Sequence, residues 1–174
     1  MDCRQKYEHW LSSPYISDEE KKELEAIKDD DREIEERFFA PLEFGTAGLR
    51  GIMGMGTRRI NRYAVRQATY ALSETILAMG GDAAERGAVV CCDCRINSRD
   101  YALDAAAVLA ARGIHVRLFE SLRPTPELSF AVRLYKAAAG INITASHNPK
   151  EYNGYKVYGE DGAQLAPELA GRIA

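Results

Sequence analysis

Hydrophobic residues in the first forty positions follow the spacing of a helix surface. Ile34 and Phe38 are four positions apart and would share one helix face, with charged residues around them. Further upstream, Ser17 and Glu20 have the spacing of a capping box, in which each side chain hydrogen-bonds a free backbone N–H at the start of a helix. This stretch contains no glycine, and we interpret residues 1–40 as a helical arm packed on the rest of the chain.

From Pro41 onward, short apolar runs alternate with longer segments of helical spacing. Such runs, bounded by turn residues, are typical of strands that helices cover on both faces. Three of the longer segments begin with residues that commonly cap helices, namely Asn61, Ser98 and Thr125. The predicted strands are 41–46, 88–93, 114–119, 138–144 and 155–158. The first of them runs into a glycine-rich loop over 45–54.

Strands that alternate with helices form a largely parallel sheet with helices on both faces. The step from Thr144 to Tyr155 is too short to contain a helix, so we expect the last strand to return antiparallel. The predicted fold is α/β: a three-layer α/β/α domain over 41–174 with a mixed, mostly parallel four-stranded sheet, preceded by the helical arm of 1–40. Residues 166–174 begin like a helix and stop without a cap, which favours a chain cut from a longer protein.

Composition and charge exclude several classes of protein. The 174 residues are 46% hydrophobic and 28% charged, close to the average of a globular domain and unlike a disordered chain. The chain has 23 basic and 26 acidic residues, so it lacks the basic excess on which nucleic-acid binding usually depends. No apolar stretch approaches the roughly 20 residues of a membrane span, and no secretion signal follows Met1. We therefore expect a cytoplasmic protein with no nucleic-acid or membrane partner.

Three of the four cysteines, Cys91, Cys92 and Cys94, cluster at the end of a predicted strand, and Cys3 stands alone. Structural zinc sites draw a second pair of thiolates or histidines from elsewhere in the chain, and this sequence offers neither. We interpret the three clustered cysteines as small apolar residues that fill the end of a buried strand.

Candidate chemistry concentrates in the loop that follows the strand predicted at 138–144. Ligands of open α/β sheets bind outside the carboxyl ends of the parallel strands, and here Ser146 and His147 are followed closely by Lys156. His147 is not assumed to be a base for Ser146, because consecutive side chains on an extended backbone point to opposite sides. The surrounding sequence also lacks the G-x-S-x-G pattern of α/β hydrolases, which weakens acyl transfer as a reaction. Phosphoryl transfer at Ser146, with Arg50 and Lys156 as cations for the anionic oxygens, fits these residues better.

Several motifs resemble those of one enzyme family. The run Thr144–Pro149, followed by Asn153–Lys156, resembles the active-site signature of the α-D-phosphohexomutases, the phosphoglucomutase/phosphomannomutase family. The run Phe44–Gly51 is similar to the amino-terminal signature of that family, in the form of its phosphopentomutase-related branch. Two shorter segments follow in family order, Asp93–Arg95 and Arg123–Pro126.

The resemblance implies a four-domain enzyme of which this chain would be the first domain, built on a mixed sheet with one antiparallel strand. Ser146 would be a phosphoserine that gives its phosphoryl group to a sugar monophosphate and takes one back from the resulting bisphosphate. The group would thereby move between the C1 and C6 hydroxyls of a hexose, or reach C5 of a pentose. Lys156 and Arg50 would assist proton transfer and hold the transferring group, and His147 would lie beside the phosphoserine. The implied substrate-binding residues are Thr46, Gly48, Arg50, Arg95 and Asn148.

The same resemblance implies a Mg²⁺ ion and an activator of the glucose 1,6-bisphosphate type. The ion would bind an oxygen of the phosphate on Ser146 and three aspartates of a D-G-D-x-D-R loop in a second domain. Neither this loop nor the family's sugar-recognition and carboxyl-terminal phosphate loops occur in the 174 residues. We therefore expect the isolated chain to fold but to turn over sugar phosphate negligibly, and the choice among glucose, mannose, ribose and amino-sugar phosphates stays open.

Other interpretations remain open at this point. The chain could be a non-catalytic module that binds a phosphosugar or a partner, or a hydrolase that uses Ser146. Arg95 could close a loop by bonding carbonyl groups instead of binding substrate. An apolar surface that later domains of the same polypeptide normally cover would also favour self-association of the isolated chain.

Overall fold

The amino-terminal arm consists of three short helices with polar caps. The computed structural model of the chain describes residues 1–45 and 48–165. The predicted capping box of Ser17 and Glu20 is present at the start of the second helix, and Asp30 caps the third. The helices are α1 (Cys3–Ser12), α2 (Asp18–Glu25) and α3 (Asp31–Phe38).

The apolar faces of these helices pack on each other and on the rest of the chain. Leu24 and Phe38 are buried in one cluster with Met55, which lies beyond the arm. The ring of Trp10 packs edge-to-face against both Phe38 and Tyr63, with ring centroids 5.7 Å apart in each pair. The helical arm predicted from hydrophobic spacing is confirmed, and it packs on the following region as expected.

Five strands form one mixed sheet. They are β1 (Leu49–Ile52), β2 (Ala88–Cys92), β3 (Val116–Leu118), β4 (Ala139–Ile143) and β5 (Tyr152–Tyr158), in the order β1-β5-β4-β2-β3. β2 pairs parallel with β3 and β4, whereas β5 pairs antiparallel with β4 and β1, so β5 alone runs against the other four. The mixed sheet with a returning antiparallel strand is confirmed. The predicted four-stranded sheet is one strand too small, although five strand segments were predicted along the chain.

Helices cover the sheet on both faces. They are α4 (Arg62–Met79), α5 (Ala83–Arg86), α6 (Ser98–Ala111) and α7 (Thr125–Leu134). Leu72 of α4 and Leu109 of α6 share a core cluster with Val90 of β2. Leu128 of α7 packs in a second cluster with Val89, the neighbour of Val90 on the same strand. Because successive strand residues point to opposite faces, the two clusters lie on opposite sides of the sheet, and the three-layer α/β/α fold is confirmed.

The segment before β1 differs most from its prediction. Residues 41–44 form no regular element, and the strand lies instead at Leu49–Ile52, inside the predicted glycine-rich loop. The backbones of Gly45 and Gly48 hydrogen-bond each other in both directions, with N–O distances of 3.1 and 2.9 Å. The chain is extended at Leu49–Ile52 because β5 supplies antiparallel partners for all four residues of β1, and pairing with a distant strand overrides the local glycine pattern.

Two helices begin one residue away from their predicted starts. Asn97, not Ser98, precedes the first residue of α6, and Ser98 is buried inside the helix start. Pro124, not Thr125, precedes the first residue of α7. Asn61 does cap α4 as predicted, because its side chain accepts a hydrogen bond from a backbone N–H of the first turn.

The cysteine prediction is confirmed at two positions and wrong at a third. Cys91 and Cys92 are buried in β2, whereas Cys94 is exposed because it lies past the end of that strand. Burial, reinforced by the charges of Cys92 and Asp93, raises the pKa of Cys91 to about 12, so this thiol stays neutral near pH 7.

Within the described residues, no helix has the length and apolar character that a transmembrane segment requires. The helix start predicted at 166–174 lies outside the described residues.

Candidate active site

Ser146 occupies a tight turn just beyond the end of β4. Its backbone is left-handed, with φ of 56°, a conformation that few residues other than glycine adopt. The N–H of Ser146 donates to Oγ1 of Thr144 at 3.0 Å, and the N–H of Asn148 donates to the carbonyl oxygen of Ala145 at 3.1 Å. Ser146 is exposed. The predicted nucleophile therefore lies at the carboxyl end of a parallel strand, the edge at which such sheets bind ligands.

The guanidinium group of Arg95 reaches from the turn after β2 into the loop between β4 and β5. Its Nε lies 3.5 Å from a carboxylate oxygen of Asp93. Its two terminal nitrogens donate four hydrogen bonds to backbone carbonyl oxygens of the loop, those of Ser146 (2.8 Å), Asn148 (2.6 Å), Pro149 (2.9 Å) and Tyr152 (3.0 Å). Arg95, which the resemblance assigns to substrate binding, is thus bonded to the backbone of the loop that carries Ser146.

Asn153 ties the far end of this loop to the turn between β2 and α6. Its buried side chain donates to the carbonyl oxygen of Ile96 at 2.9 Å and to Oγ of Ser98 at 3.0 Å. The Ser98 hydroxyl donates in turn to Asp93 at 2.9 Å. The sequence places Asn153 in a family motif but gives it no role, and the only local signal was a polar residue at the start of a buried strand.

Two cationic side chains lie on adjacent strands beside the loop. The register pairs Arg50 of β1 with Gly154 of β5, so Arg50 shares a sheet face with Lys156, two residues further along β5. The Arg50 guanidinium donates to Oδ1 of Asn148 at 3.3 Å. Lys156 is half-buried, and its side chain makes no hydrogen bond or ion pair with any residue in the described ranges. The structure therefore brings Arg50, Asn148 and Lys156 to the same edge of the sheet as Ser146.

Close packing of strand backbones accounts for two glycines of the site. A Cβ atom on Gly154 would lie 2.6 Å from the carbonyl oxygen of Thr144 and 3.0 Å from that of Leu49. Gly48 has φ of 79°, and a Cβ there would lie 2.0 Å from the carbonyl oxygen of Tyr155. Gly48, an expected substrate-binding residue, is therefore packed directly on β5, and any larger residue would displace β1 from that strand.

His147 lies beside Ser146, with its Nδ1 3.5 Å from the serine Oγ, at the outer limit of a hydrogen bond. Consecutive side chains point to opposite sides only on an extended backbone, and the backbone of Ser146 is left-handed, which allows His147 to approach the serine. Thr46, the remaining predicted substrate-binding residue, lies outside the described residues.

A metal ion at this edge of the sheet would need ligands close to the Ser146 hydroxyl. In the ranges that the structure describes, no group of three or more His, Cys, Asp or Glu side chains has the arrangement of a metal site. Mg²⁺ prefers oxygen ligands from carboxylates and phosphates. A phosphate on Ser146 would offer such an ion an oxygen ligand, and the described residues add no carboxylate cluster to complete the site.

A groove of about 590 Å³ opens beside the two strands that carry the cations. Its lining includes Gly48, Arg50 and Tyr152, and its volume is in the range of small-molecule sites. A larger cavity of about 720 Å³ lies between the arm and α4, and the residues that line it include neither Ser146 nor its neighbours in the loop. The groove of 590 Å³ shares Gly48 and Arg50 with the candidate active site, although Ser146 and Lys156 are not among the residues that line it.

Comparison with known proteins places this geometry in one family. The family model described as phosphoglucomutase/phosphomannomutase, alpha/beta/alpha domain I, matches residues 41–174. The phosphoglucomutase of Staphylococcus aureus (strain USA300) is 46% identical over 145 residues, and that of Staphylococcus epidermidis (strain ATCC 35984) is 42% identical over 142 residues. Each alignment covers 82% of this chain and 26% of the relative, so the chain spans about a quarter of the length of these proteins.

Solved structures agree with the sequence relatives. A phosphomannomutase-like protein of Thermus thermophilus superposes with a TM-score of 0.69 at 38% identity, covering 77% of this chain and 29% of that one. A phosphoglucomutase/phosphomannomutase family protein of Burkholderia thailandensis superposes with a TM-score of 0.61 at 28% identity, covering 75% and 28%. The chain belongs to the phosphoglucomutase/phosphomannomutase family and contains its α/β/α domain I.

Proposed function

We propose that Ser146 carries a phosphoryl group and that the polypeptide containing this domain is a phosphosugar mutase. The observation that carries the proposal is the placement of an exposed serine in a left-handed turn, at the sheet edge where Arg50 and Lys156 share a face. Membership in a family whose relatives include phosphoglucomutases supports the same reaction. The substrate would be a sugar monophosphate whose phosphoryl group moves between C1 and C6, or reaches C5 of a pentose.

In the proposed reaction, a sugar hydroxyl oxygen attacks the phosphorus on Ser146 as the bond from phosphorus to Oγ breaks. The proton of that hydroxyl passes to a base, a step in which Lys156 assists, and the product is a sugar bisphosphate. The bisphosphate reorients and returns its other phosphoryl group to Oγ of Ser146. Arg50 and Lys156 stabilise the charge that spreads over the oxygens of the moving group, which is the main catalytic requirement of phosphoryl transfer.

The remaining residues of the proposed site act around this transfer. His147, 3.5 Å from Oγ, contacts the phosphoryl group on Ser146, and Asn148 holds Arg50 toward the loop through their 3.3 Å hydrogen bond. Gly48 packs directly on β5 and so keeps β1 in place beside the groove proposed for the substrate. The role proposed for Thr46 in substrate binding rests on the family resemblance alone.

A Mg²⁺ ion bound to the phosphate on Ser146 would supply further neutralisation of charge, with its other ligands from outside residues 1–174. The described residues do not complete such a site. The roles proposed above therefore do not depend on the ion. A bisphosphate activator of the glucose 1,6-bisphosphate type would supply the first phosphoryl group. The other proposed partners are the remaining domains of the polypeptide. We expect the 174 residues alone to have negligible mutase activity. We also expect them to self-associate through apolar surface that the other domains normally cover.

Phosphopeptide mapping tests the proposal. The chain is incubated with glucose 1,6-bisphosphate and Mg²⁺, digested, and analysed by mass spectrometry, in parallel with the polypeptide that carries the later domains. We expect phosphate on the peptide that contains Ser146 in the longer protein, and none there after Ser146→Ala, which also abolishes mutase turnover.

Ser121→Ala provides the matched control, because Ser121 is exposed and follows another parallel strand of the same sheet. Its phosphopeptide map and mutase rate should equal those of the unmodified protein. Full mutase turnover in the Ser146→Ala protein would refute the proposal. Binding of a phosphosugar without any phosphate transfer would favour a non-catalytic module instead.

A further inference from the structure

We infer that Arg95 is a positioning residue, whose guanidinium group holds the loop of residues 146–152 in the geometry that presents Oγ of Ser146. The inference deepens the proposed function and rests on it, since it assigns Arg95 to the loop that carries the phosphoryl group and not to the phosphosugar itself.

The hydrogen bonds of Arg95 account for nearly all its donor capacity. A guanidinium has five N–H donors in a planar fork and no acceptor. Four hydrogen bonds from its terminal nitrogens end on carbonyl oxygens of the loop, at 2.6 to 3.0 Å. The fifth donor, on Nε, faces the carboxylate of Asp93 at 3.5 Å. A phosphosugar could bond Arg95 only by displacing one of these partners.

Burial and charge pairing fix the side chain in this position. The Arg95 side chain is 13% exposed, and its charge is paired with Asp93. Asp93 is itself held, because its Oδ1 accepts hydrogen bonds from the backbone N–H of Arg95 and from the Ser98 hydroxyl, both at 2.9 Å. The turn after β2 thus forms a rigid base from which the guanidinium extends into the loop.

The loop requires such a support because its carbonyl groups converge and its key residue is strained. A left-handed serine persists only where the surrounding structure enforces that conformation. Arg95 bonds the carbonyl of Ser146 directly and also bonds those of Asn148, Pro149 and Tyr152, which span the loop to the start of β5. Without the guanidinium, these four carbonyl oxygens would lose a shared donor, and the turn at Ser146 would relax.

Lysine cannot replace arginine in this role. Its ammonium is a compact charge on a flexible stem, with three donors that radiate from one nitrogen. It cannot reach four acceptors that lie around the edge of a planar group. Arg95→Lys therefore keeps the charge and removes the support, which separates positioning of the loop from electrostatic attraction of the substrate.

Steady-state kinetics on the polypeptide that carries the later domains tests the inference. In Arg95→Lys and Arg95→Ala, we expect kcat to fall by about 10- to 100-fold, the loss that follows a misplacement of a reacting group by about 1 Å. KM for the phosphosugar should stay within about twofold, because no substrate contact is removed. Added guanidinium ion should restore part of kcat in Arg95→Ala, whose cavity accepts it, and not in Arg95→Lys. A rise in KM with unchanged kcat would overturn the inference and assign Arg95 to substrate binding.

Arg99→Ala is the matched control, since Arg99 lies in the first turn of α6 and its side chain donates to the carbonyl of Phe119, away from the loop. Its kcat and KM should equal those of the unmodified protein.

Hydrogen exchange on the same proteins separates failure of this inference from failure of the proposed function. The amide N–H groups of Asn148 and Tyr152 bond the carbonyl oxygens of Ala145 and Pro149, and they report the geometry of the loop. In Arg95→Lys these amides should exchange at least about tenfold faster, while those of β2 and β4 keep their protection. Unchanged exchange in the loop would refute the inference whatever the phosphorylation state of Ser146. A different result would be faster exchange of the loop in Arg95→Lys together with no phosphate on Ser146 in the unmodified protein. That result would refute the proposed function and leave Arg95 as the support of the loop.

Discussion

Gly154 shows how a single residue at the site is determined by backbone packing. It lies where β1, β5 and β4 run side by side, and a Cβ would approach the carbonyl oxygens of Thr144 and Leu49 to 2.6 and 3.0 Å. Both neighbours are backbone atoms of paired segments, so neither can move without loss of hydrogen bonds. We expect Gly154→Ala to lower the free energy of unfolding by about 1–3 kcal/mol, the usual cost of overpacking, as measured by urea denaturation.

Gly45→Ala is the control for this substitution. Among the described residues, the atom nearest to a Cβ on Gly45 would be the carbonyl oxygen of Gly48, at 4.0 Å, which is ordinary contact. Its free energy of unfolding should change by less than about 0.5 kcal/mol, as for most exposed substitutions. Equal effects of the two substitutions would show that close approach of the strands does not explain the glycine at 154.

At the scale of secondary structure, the helices were more predictable from the sequence than the strands. The starts of α2 and α4 follow from side chains that act within one turn, at Ser17 and Asn61. The position of β1 depends on pairing with β5, about a hundred residues further along, and its glycines suggested a loop instead. The local sequence around Leu49–Ile52 does not indicate that β5 will pair with it. The strand was therefore predicted at 41–46 instead.

Asn61 caps a helix and also bonds the segment before that helix, a structural role that the sequence did not indicate. Its Oδ1 accepts from the N–H of Ala64, while its Nδ2 donates to the carbonyl oxygens of Gly54 and Gly56 at 3.0 Å each. Asn61→Ala removes the cap and leaves carbonyl oxygens without their donor. We expect it to lower the free energy of unfolding by about 2–4 kcal/mol, the sum of a cap and an unsatisfied buried group, as measured by thermal and urea denaturation.

Ser17→Ala removes a cap alone, at an exposed helix start, and should cost about 1 kcal/mol. The difference between the two variants measures what the amide of Asn61 contributes by holding the segment before α4. If Asn61→Ala costs no more than Ser17→Ala, the bonds to Gly54 and Gly56 contribute nothing to stability.

At the scale of the whole molecule, the candidate site is assembled from three separate segments. These segments are β1, the turn after β2 and the loop between β4 and β5. They meet at one edge of the sheet because β5 lies between β1 and β4. The chemistry of the residues and the family motifs both identified Ser146, Lys156 and Arg50 as functional candidates from the sequence. The contact between Arg50 and Asn148, 98 positions apart, could not be predicted, because it depends on the register of β1 against β5. The sequence raised closure of a loop by Arg95 as an alternative to substrate binding, but which carbonyl groups it bonds depends in the same way on tertiary structure.

The attachment of the arm to the α/β domain depends on carboxylates that are charged at neutral pH. The Glu33 carboxylate accepts a hydrogen bond from Arg37 and lies 3.2 Å from a guanidinium nitrogen of Arg59, which belongs to the domain. The hydrogen bond from Arg37 and the charges of both arginines hold the pKa of Glu33 below its usual value, against the opposing effect of burial. At Glu20, burial raises the pKa but is outweighed by hydrogen bonds from Ser17 and Tyr63, so this pKa is also lowered.

These shifts predict that acid loosens the arm. A carboxylate whose pKa is lower in the folded state stabilises that state at pH values above its unfolded pKa, about 4.3 for Glu, and this stabilisation is lost as the pH falls through the folded value. Docking of the arm should therefore weaken progressively below about pH 4.5. Trp10, the only tryptophan of the chain, packs against Phe38 and Tyr63, and its fluorescence reports this docking.

The substitution Glu33→Gln tests the cause of this acid sensitivity. It removes one of the titrating groups, so the fluorescence of Trp10 should respond less steeply to pH between about 5 and 3 than in the unmodified chain. Glu35→Gln is the matched control, since Glu35 is exposed on the same helix and takes part in none of the ion pairs of the arm. Its acid titration should coincide with that of the unmodified chain. If all three titrations coincide, the ion pairs of Glu33 do not govern the attachment. The arm is then held by its other contacts, among them the apolar cluster around Phe38, the Glu20–Tyr63 hydrogen bond and the Glu36–Arg59 ion pair.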